Sequence, residues 1–376
     1  MLTSRATRVY LPAFVFPFFI CLSTVLLSQE QPAVSRQPAP QNSPLHVSSP
    51  PADPLELATI AKDLANTPED RSPVLELIQR ASQNADIRTI GAPPFTMHIS
   101  FTASGDVLYT GSGESEDTWI SWESSRWNAR LGDFSISRIW SRGAAFDDKQ
   151  ISMIPLRLQM LRDAVFWPVH SREHDRLRTA TADWKGRQVT CVLSSGEGIQ
   201  AQEIIGRRWV EREFCIDPKS GLLQILSDAP GIYVVYDYTG ALEFHGHTVP
   251  RQISIFEGGR NVLEAHIDSI VDAEHIPAGL VTPSSEMVRQ NPILSAAMRF
   301  PQVVPLPHGA ATMQPVIVHA LVAEDGKVLD AELVSDTGAD LQRSALALVK
   351  RSSYRPARPG SQLQREAFIN VKFVSQ

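Results

Sequence analysis

The run Val316-Ile317-Val318-His319-Ala320-Leu321-Val322 alternates Val316, Val318, Ala320 and Val322 with Ile317, His319 and Leu321, the period of a half-buried β-strand. Asp325-Gly326 then supplies a hairpin turn. A second strand is expected from Lys327 to Val334. Asp340 can cap a following helix whose apolar face is Leu341, Ala345, Leu348 and Val349. Pro356 stops that helix. A closing strand places Ala367, Ile369, Val371 and Phe373 on one face and Phe368, Asn370 and Lys372 on the other. Residues 314–376 therefore read as a small βαβ module.

Upstream, the pattern changes. Phe95-Thr96-Met97-His98-Ile99-Ser100-Phe101-Thr102 is a clean alternating strand, with a hairpin return expected at Val107 to Thr110. Further strands are expected at 118–122, 134–140, 189–193, 209–216, 222–226, 232–238, 248–256 and 262–270, separated by turns such as Asp217-Pro218-Lys219-Ser220-Gly221. Helices are expected at 55–64, at 72–81 with Ser72 as cap and Pro73 in the first turn, and at 155–166 with Leu158, Leu161 and Val165 facing inward. Many short antiparallel strands with a few helices describe a curved sheet or half-barrel with helical plugs, so the fold class is α+β.

Around these, residues 1–28 carry Arg5 and Arg8 ahead of an apolar run from Leu11 to Leu27, the outline of a secretory signal peptide; an uncleaved anchor is the alternative. Residues 29–54 are rich in Pro, Ser, Gln and Ala and form a linker without a core. The β-rich domain spans 55–277, and a Pro-rich linker, 278–313, joins it to the terminal module.

Among 376 residues the net charge is -6, and no basic cluster offsets it, which excludes a nucleic-acid surface. Beyond Cys21 in the leader, Cys191 and Cys215 remain as an even pair, each in a strand-like segment. A disulfide between neighbouring strands is expected, as in an exported protein; two buried thiols are the alternative.

The terminal module resembles the C-terminal domain of the TonB family. The residues that carry the resemblance are Glu324-Asp325-Gly326-Lys327-Val328, Val334-Ser335-Asp336-Thr337-Gly338, Leu341, Ala345-Leu346, Tyr354-Arg355-Pro356-Ala357 and the closing strand. The chain departs from the family in having Ser352 where an aromatic is usual, and Leu306-Pro307 in place of a Tyr-Pro box. The resemblance implies a periplasmic protein whose partner, an outer-membrane or periplasmic protein, adds as a strand along the closing edge Ala367, Phe368, Ile369, Asn370, Val371, Lys372 and Phe373. That edge covered by a second copy, a homodimer, or by the central domain is the alternative. Over Pro93 to Asp272 the strand pattern looks like the LolA-type lipoprotein carriers, which implies a lipid or lipoprotein ligand. All seven tryptophans, Trp119, Trp122, Trp127, Trp140, Trp167, Trp184 and Trp209, fall in this region, either lining an apolar cavity or filling a core.

Chemistry-bearing motifs are few. His170-Ser171-Arg172-Glu173-His174 has the H-x-x-E-H order of a zinc peptidase class, but Pro168 and the Arg-rich surroundings frame a solvated loop instead of a helix. His245-Gly246-His247 has the spacing of some metal sites and reads more simply as a turn. With no G-x-S-x-G, Walker A, G-x-G-x-x-G or C-x-x-C present, the chain is expected to bind and not to catalyse, without a metal or cofactor.

Overall fold

The computed structural model describes residues 62–63 and 67–374, apart from the segments 106–108, 150–152, 170–174, 197–210, 258–259, 291–292, 296–302, 306–315, 335–338 and 355–361 and positions 90, 230, 324 and 365. The leader, the first linker, the His170 to His174 motif and Trp209 lie outside the described residues. All described residues fall in one compact unit.

Chain order runs β1 (Lys62–Asp63), α1 (Pro68–Ala85), β2 (Phe95–Ala103), β3 (Gly111–Ser121), β4 (Ser124–Leu131), β5 (Phe134–Ser141), β6 (Ala144–Asp147) and α2 (Leu156–Phe166). There follow β7 (Arg176–Trp184), β8 (Arg187–Ser195), β9 (Arg212–Ile216), β10 (Leu223–Ala229) and β11 (Ile232–Asp237). Next are the small hairpin β12 (Leu242–Phe244) and β13 (His247–Val249), then β14 (Gln252–Glu257), β15 (Arg260–Asp272) and β16 (Val288–Arg289). These strands, β12 and β13 excepted, form one 14-stranded antiparallel sheet, order β1-β7-β8-β9-β10-β11-β14-β15-β2-β3-β4-β5-β6-β16. It is curved and does not close into a barrel.

Residue alternation decides which face of the sheet is buried. In β2 the inward Phe95, Met97, Ile99, Phe101 and Ala103 are buried, while His98, Ser100 and Thr102 are exposed. Helices α1 and α2 pack on the same face of the sheet. Leu77, Ile78 and Ala81 of α1 and Leu158, Leu161, Ala164 and Val165 of α2 share one core with β2 to β5, β14 and β15. Burying a leucine such as Leu158 contributes roughly 2 kcal/mol. The Tyr236 hydroxyl, itself buried, donates to the Ala164 carbonyl at 3.0 Å and anchors the end of α2 to β11.

The expected helix at 55–64 is corrected in its described part. Lys62 and Asp63 are extended and pair with Thr179 and Arg178. The return strand after β2 begins at Gly111, beyond the expected 107–110, and the strands β4 and β7 were not foreseen.

The terminal module is built from β18 (Val303–Pro305), β19 (Val316–Val322), β20 (Val328–Leu333), α3 (Ala339–Arg351) and β22 (Glu366–Val374); β17 (Ile293–Ser295) pairs separately with β21 (Gln362–Gln364). Its sheet order is β18-β22-β19-β20. Gly326 takes φ +87° in the turn before β20, and a Cβ there would lie 2.3 Å from the Tyr354 carbonyl oxygen, so the turn demands glycine. Asp340 sits inside the first turn of α3, paired with Arg343, and not at the cap. Leu341, Ala345 and Val349 pack on Val316, Val318, Ala320 and Val322 as the spacing predicts.

Candidate functional site

Strand β19 departs from its sequence reading in an informative way. A half-buried strand was expected, yet all seven of its residues are buried. One face meets α3. The other meets the curved sheet: Ile317 packs with Ile232 and Val334, and Leu321 packs with Met153. Between those two apolar contacts stands His319, with a cluster of charges around it.

Arg157, in the first turn of α2, makes a two-pronged bond to Glu257 at the end of β14, Nε to Oε1 and Nη2 to Oε2, both at 2.9 Å. Its Nη2 also donates to Glu332 Oε1 of β20 at 2.8 Å, and its Nη1 donates to the Ser104 carbonyl at 2.5 Å. His319 Nδ1 lies 3.5 Å from both Glu257 Oε2 and Glu332 Oε1, and Nε2 lies 3.4 Å from Glu366 Oε1. At these distances the attraction is chiefly ionic, because the ring stands slightly outside good hydrogen-bond geometry. All five residues are buried.

Burial by itself would strip the proton from His319, but the carboxylates of Glu257, Glu332 and Glu366 outweigh it and push the imidazole up to about 10. Glu257 is held below the usual carboxylate range: its burial acts the other way, and His319 and Arg157 prevail. The third carboxylate, Glu366, has a further donor. Its Oε2 accepts the backbone N–H of Leu156 at 2.5 Å, the open N-terminus of α2, where Pro155 as N-cap brings no side-chain acceptor. Three carboxylates are thus met by a guanidinium, an imidazolium and a helix N-terminus.

Ligand atoms of Glu257, His319 and Glu332 lie within 4.8 Å of one another, a spacing a metal could use. The cation they hold is the Arg157 guanidinium, so the donor set does not fit a metal. The Cys191, Glu213 and Cys215 group is likewise not a metal site, since the two sulfurs are joined as a disulfide. Cys191 and Cys215 pair directly across β8 and β9, as expected.

On the closing strand, β22 pairs antiparallel with β19 from Glu366 to Val371, and parallel with β18 from Lys372 to Val374 on its other side. The Val334 N–H bonds the Ile317 carbonyl, so Ile317 turns its main-chain groups to β20, and Val316, Val318 and Ala320 turn theirs to β22. Their register partners Val371, Ile369 and Ala367 complete that ladder. Phe368 and Asn370 therefore direct their main-chain groups outward. Among the described residues no strand pairs that side between Glu366 and Val371.

Residues 314–374 match the family of the Gram-negative bacterial TonB protein C-terminal. The match spans the terminal module, and among curated proteins none matches the chain. Solved structures similar to the chain include a LolA superfamily protein from Nitrosomonas europaea, 7% identical, covering 56% of this chain and 97% of its own, TM-score 0.37. MucB is 12% identical over 76% of this chain and 98% of its own, TM-score 0.28. A Pseudomonas aeruginosa MucA/MucB complex is 13% identical over 75% and 98%, TM-score 0.24. The TonB-like module supports an envelope-associated protein, and among the described residues no helix is long and apolar enough to cross a membrane.

The six tryptophans among the described residues do not converge on a cavity. Trp119 and Trp127 are buried in the core, Trp122, Trp140 and Trp167 are exposed, and Trp184 is half-buried. An apolar cavity beside Ala164, Val165, Met97 and Tyr236 measures about 30 Å³, space for about one water, and no tryptophan lines it. His245 and His247 fall at the β12–β13 turn, as read; His245 pairs with Asp272 at 2.5 Å and His247 Nδ1 lies 3.3 Å from the Asn84 carbonyl. Sequence reasoning missed Arg157, Glu257, Glu332 and Glu366 altogether. The available signal was His319, a polar residue in the middle of an apolar strand.

Proposed function

We propose that this chain is an exported protein of the cell envelope whose TonB-like module binds a protein partner by strand addition along the outer side of β22. The observation that carries the reading is that, among the described residues, no strand pairs the outer side of β22 between Glu366 and Val371, where Phe368 and Asn370 direct their N–H and C=O groups outward. The curved sheet is the body that holds the module in place, and the reading is one of binding and not of catalysis. The apolar cavity beside Ala164 and Tyr236, at about 30 Å³, lends no support to a lipid ligand there.

The mature protein, immobilised and exposed to an envelope extract, captures a discrete partner under this reading. An Asn370→Pro variant, which lacks one outward N–H but keeps the inner ladder, loses that partner. A partner retained by the variant, or no partner captured by the wild type, defeats the proposal.

A further inference from the structure

The TonB-like module has a second face, and the body is shaped to receive it. Ile317, His319 and Leu321 of β19, with Val334 and Phe368, point away from α3 and onto the curved sheet. Two glycines of the body make room there. Gly105, at φ +117°, leaves space that a Cβ would deny to the Arg157 guanidinium, 2.7 Å away, and Gly231, at φ +83°, lies 3.0 Å by the same measure from Ile317.

The apolar parts of this junction are small, one pair around Met153 and Leu321 and one trio of Ile232, Ile317 and Val334. The charged part is large and buried, and its members come from five elements. Arg157 is on α2, Glu257 on β14, Glu332 on β20, Glu366 on β22 and His319 on β19, with the Phe368 ring 4.9 Å from the imidazole. Removing Arg157 or His319 leaves the three carboxylates short of a cation, and removing Glu366 takes its oxygens from the His319 imidazolium and the Leu156 N–H; either is far more disruptive than losing a surface pair.

We propose that these five residues form a latch that holds the module's second face shut against the body, and that loss of one of them releases the module while the curved sheet stays folded. While latched, the module offers a partner its strand edge. Unlatched, it exposes Ile317, Leu321 and Phe368 as a fresh apolar strip. The latch rests on the junction and not on the partner-binding reading, so either can fail alone.

Methionine oxidation separates release from unfolding. Met153 is covered by Leu321 of the module, whereas Met97 is buried in the sheet's own core. In the full chain treated with dilute peroxide, Glu366→Ala is expected to raise Met153 oxidation about tenfold or more while Met97 stays protected. Equal oxidation of both methionines means global unfolding and overturns the proposal, as does no change in either. Should Glu366→Ala fail to fold, Glu366→Asp decides by the same two methionines: it keeps the charge but withdraws it from the Leu156 N–H.

Discussion

Glu366 of the terminal module caps helix α2 of the curved-sheet body, its Oε2 receiving the Leu156 N–H at 2.5 Å across 210 positions of sequence. The helix starts after Pro155, which offers no side-chain acceptor, so its first turn depends on a carboxylate brought by another element. Glu366→Gln keeps an acceptor and loses the charge. The expected cost is about 1 kcal/mol, read as a lower urea midpoint at unchanged slope; a change in slope points instead to an altered native or denatured state.

The junction also fixes how stability depends on pH. His319 is raised above its unfolded value, from 6.5 to about 10, so its contribution is complete below about 6.5 and drains away as pH rises to about 10. Glu257 is lowered from 4.5, so its contribution is complete above about 4.5 and is lost as pH falls below that. These two groups place the stability maximum between about 4.5 and 6.5. Thermal melts from pH 5 to pH 10 should show a steady decline above 6.5, and His319→Gln should flatten it. A wild-type curve that is flat or rising over that range would show that His319 is not charged in its seat.

Much of the fold was legible because alternation and turn chemistry are local. Asp325-Gly326, the apolar face of α3 and the inward residues of β2 and α2 all carry their own signal. Strand β4 escaped notice because its inward positions include the small Ser125 and Ala129, and β7 because Arg, Thr and Asp break up its apolar alternation. The junction was illegible for a different reason. Arg157, Glu257, Glu332 and Glu366 each look like an ordinary surface charge, and only long-range pairing of α2, β14, β20 and β22 brings them together. The two-sided burial of β19 has the same origin: a half-polar strand says that one face is covered, not what the other face meets.

Cys191 and Cys215, on directly paired positions of β8 and β9, close a loop of 24 positions. In the chain-entropy account that bridge contributes on the order of 3 kcal/mol. Reductant is therefore expected to lower the urea midpoint of the protein, and alkylation of folded protein without reductant should label neither Cys191 nor Cys215. Labelling of both would mean that the pair is reduced in the purified protein.

Two glycine substitutions separate backbone strain from a specific clash. Gly143, at φ +76°, has no atom within 4 Å of a would-be Cβ, so Gly143→Ala adds only the strain of a left-handed residue, about 1 kcal/mol. Gly105 carries positive φ as well, but its Cβ would meet Arg157 Nη1 at 2.7 Å and Nη2 at 2.9 Å. The guanidinium cannot yield cheaply, since the same nitrogens hold the Ser104 carbonyl, Glu257 and Glu332. Gly105→Ala should therefore cost roughly 2–3 kcal/mol more than Gly143→Ala, the range for breaking hydrogen bonds to a charged group. The excess should shrink when Arg157→Met is already present, because contacting residues are not additive. A double-mutant cycle of urea midpoints measures it, and strict additivity would show that Gly105 serves its own turn and not the junction.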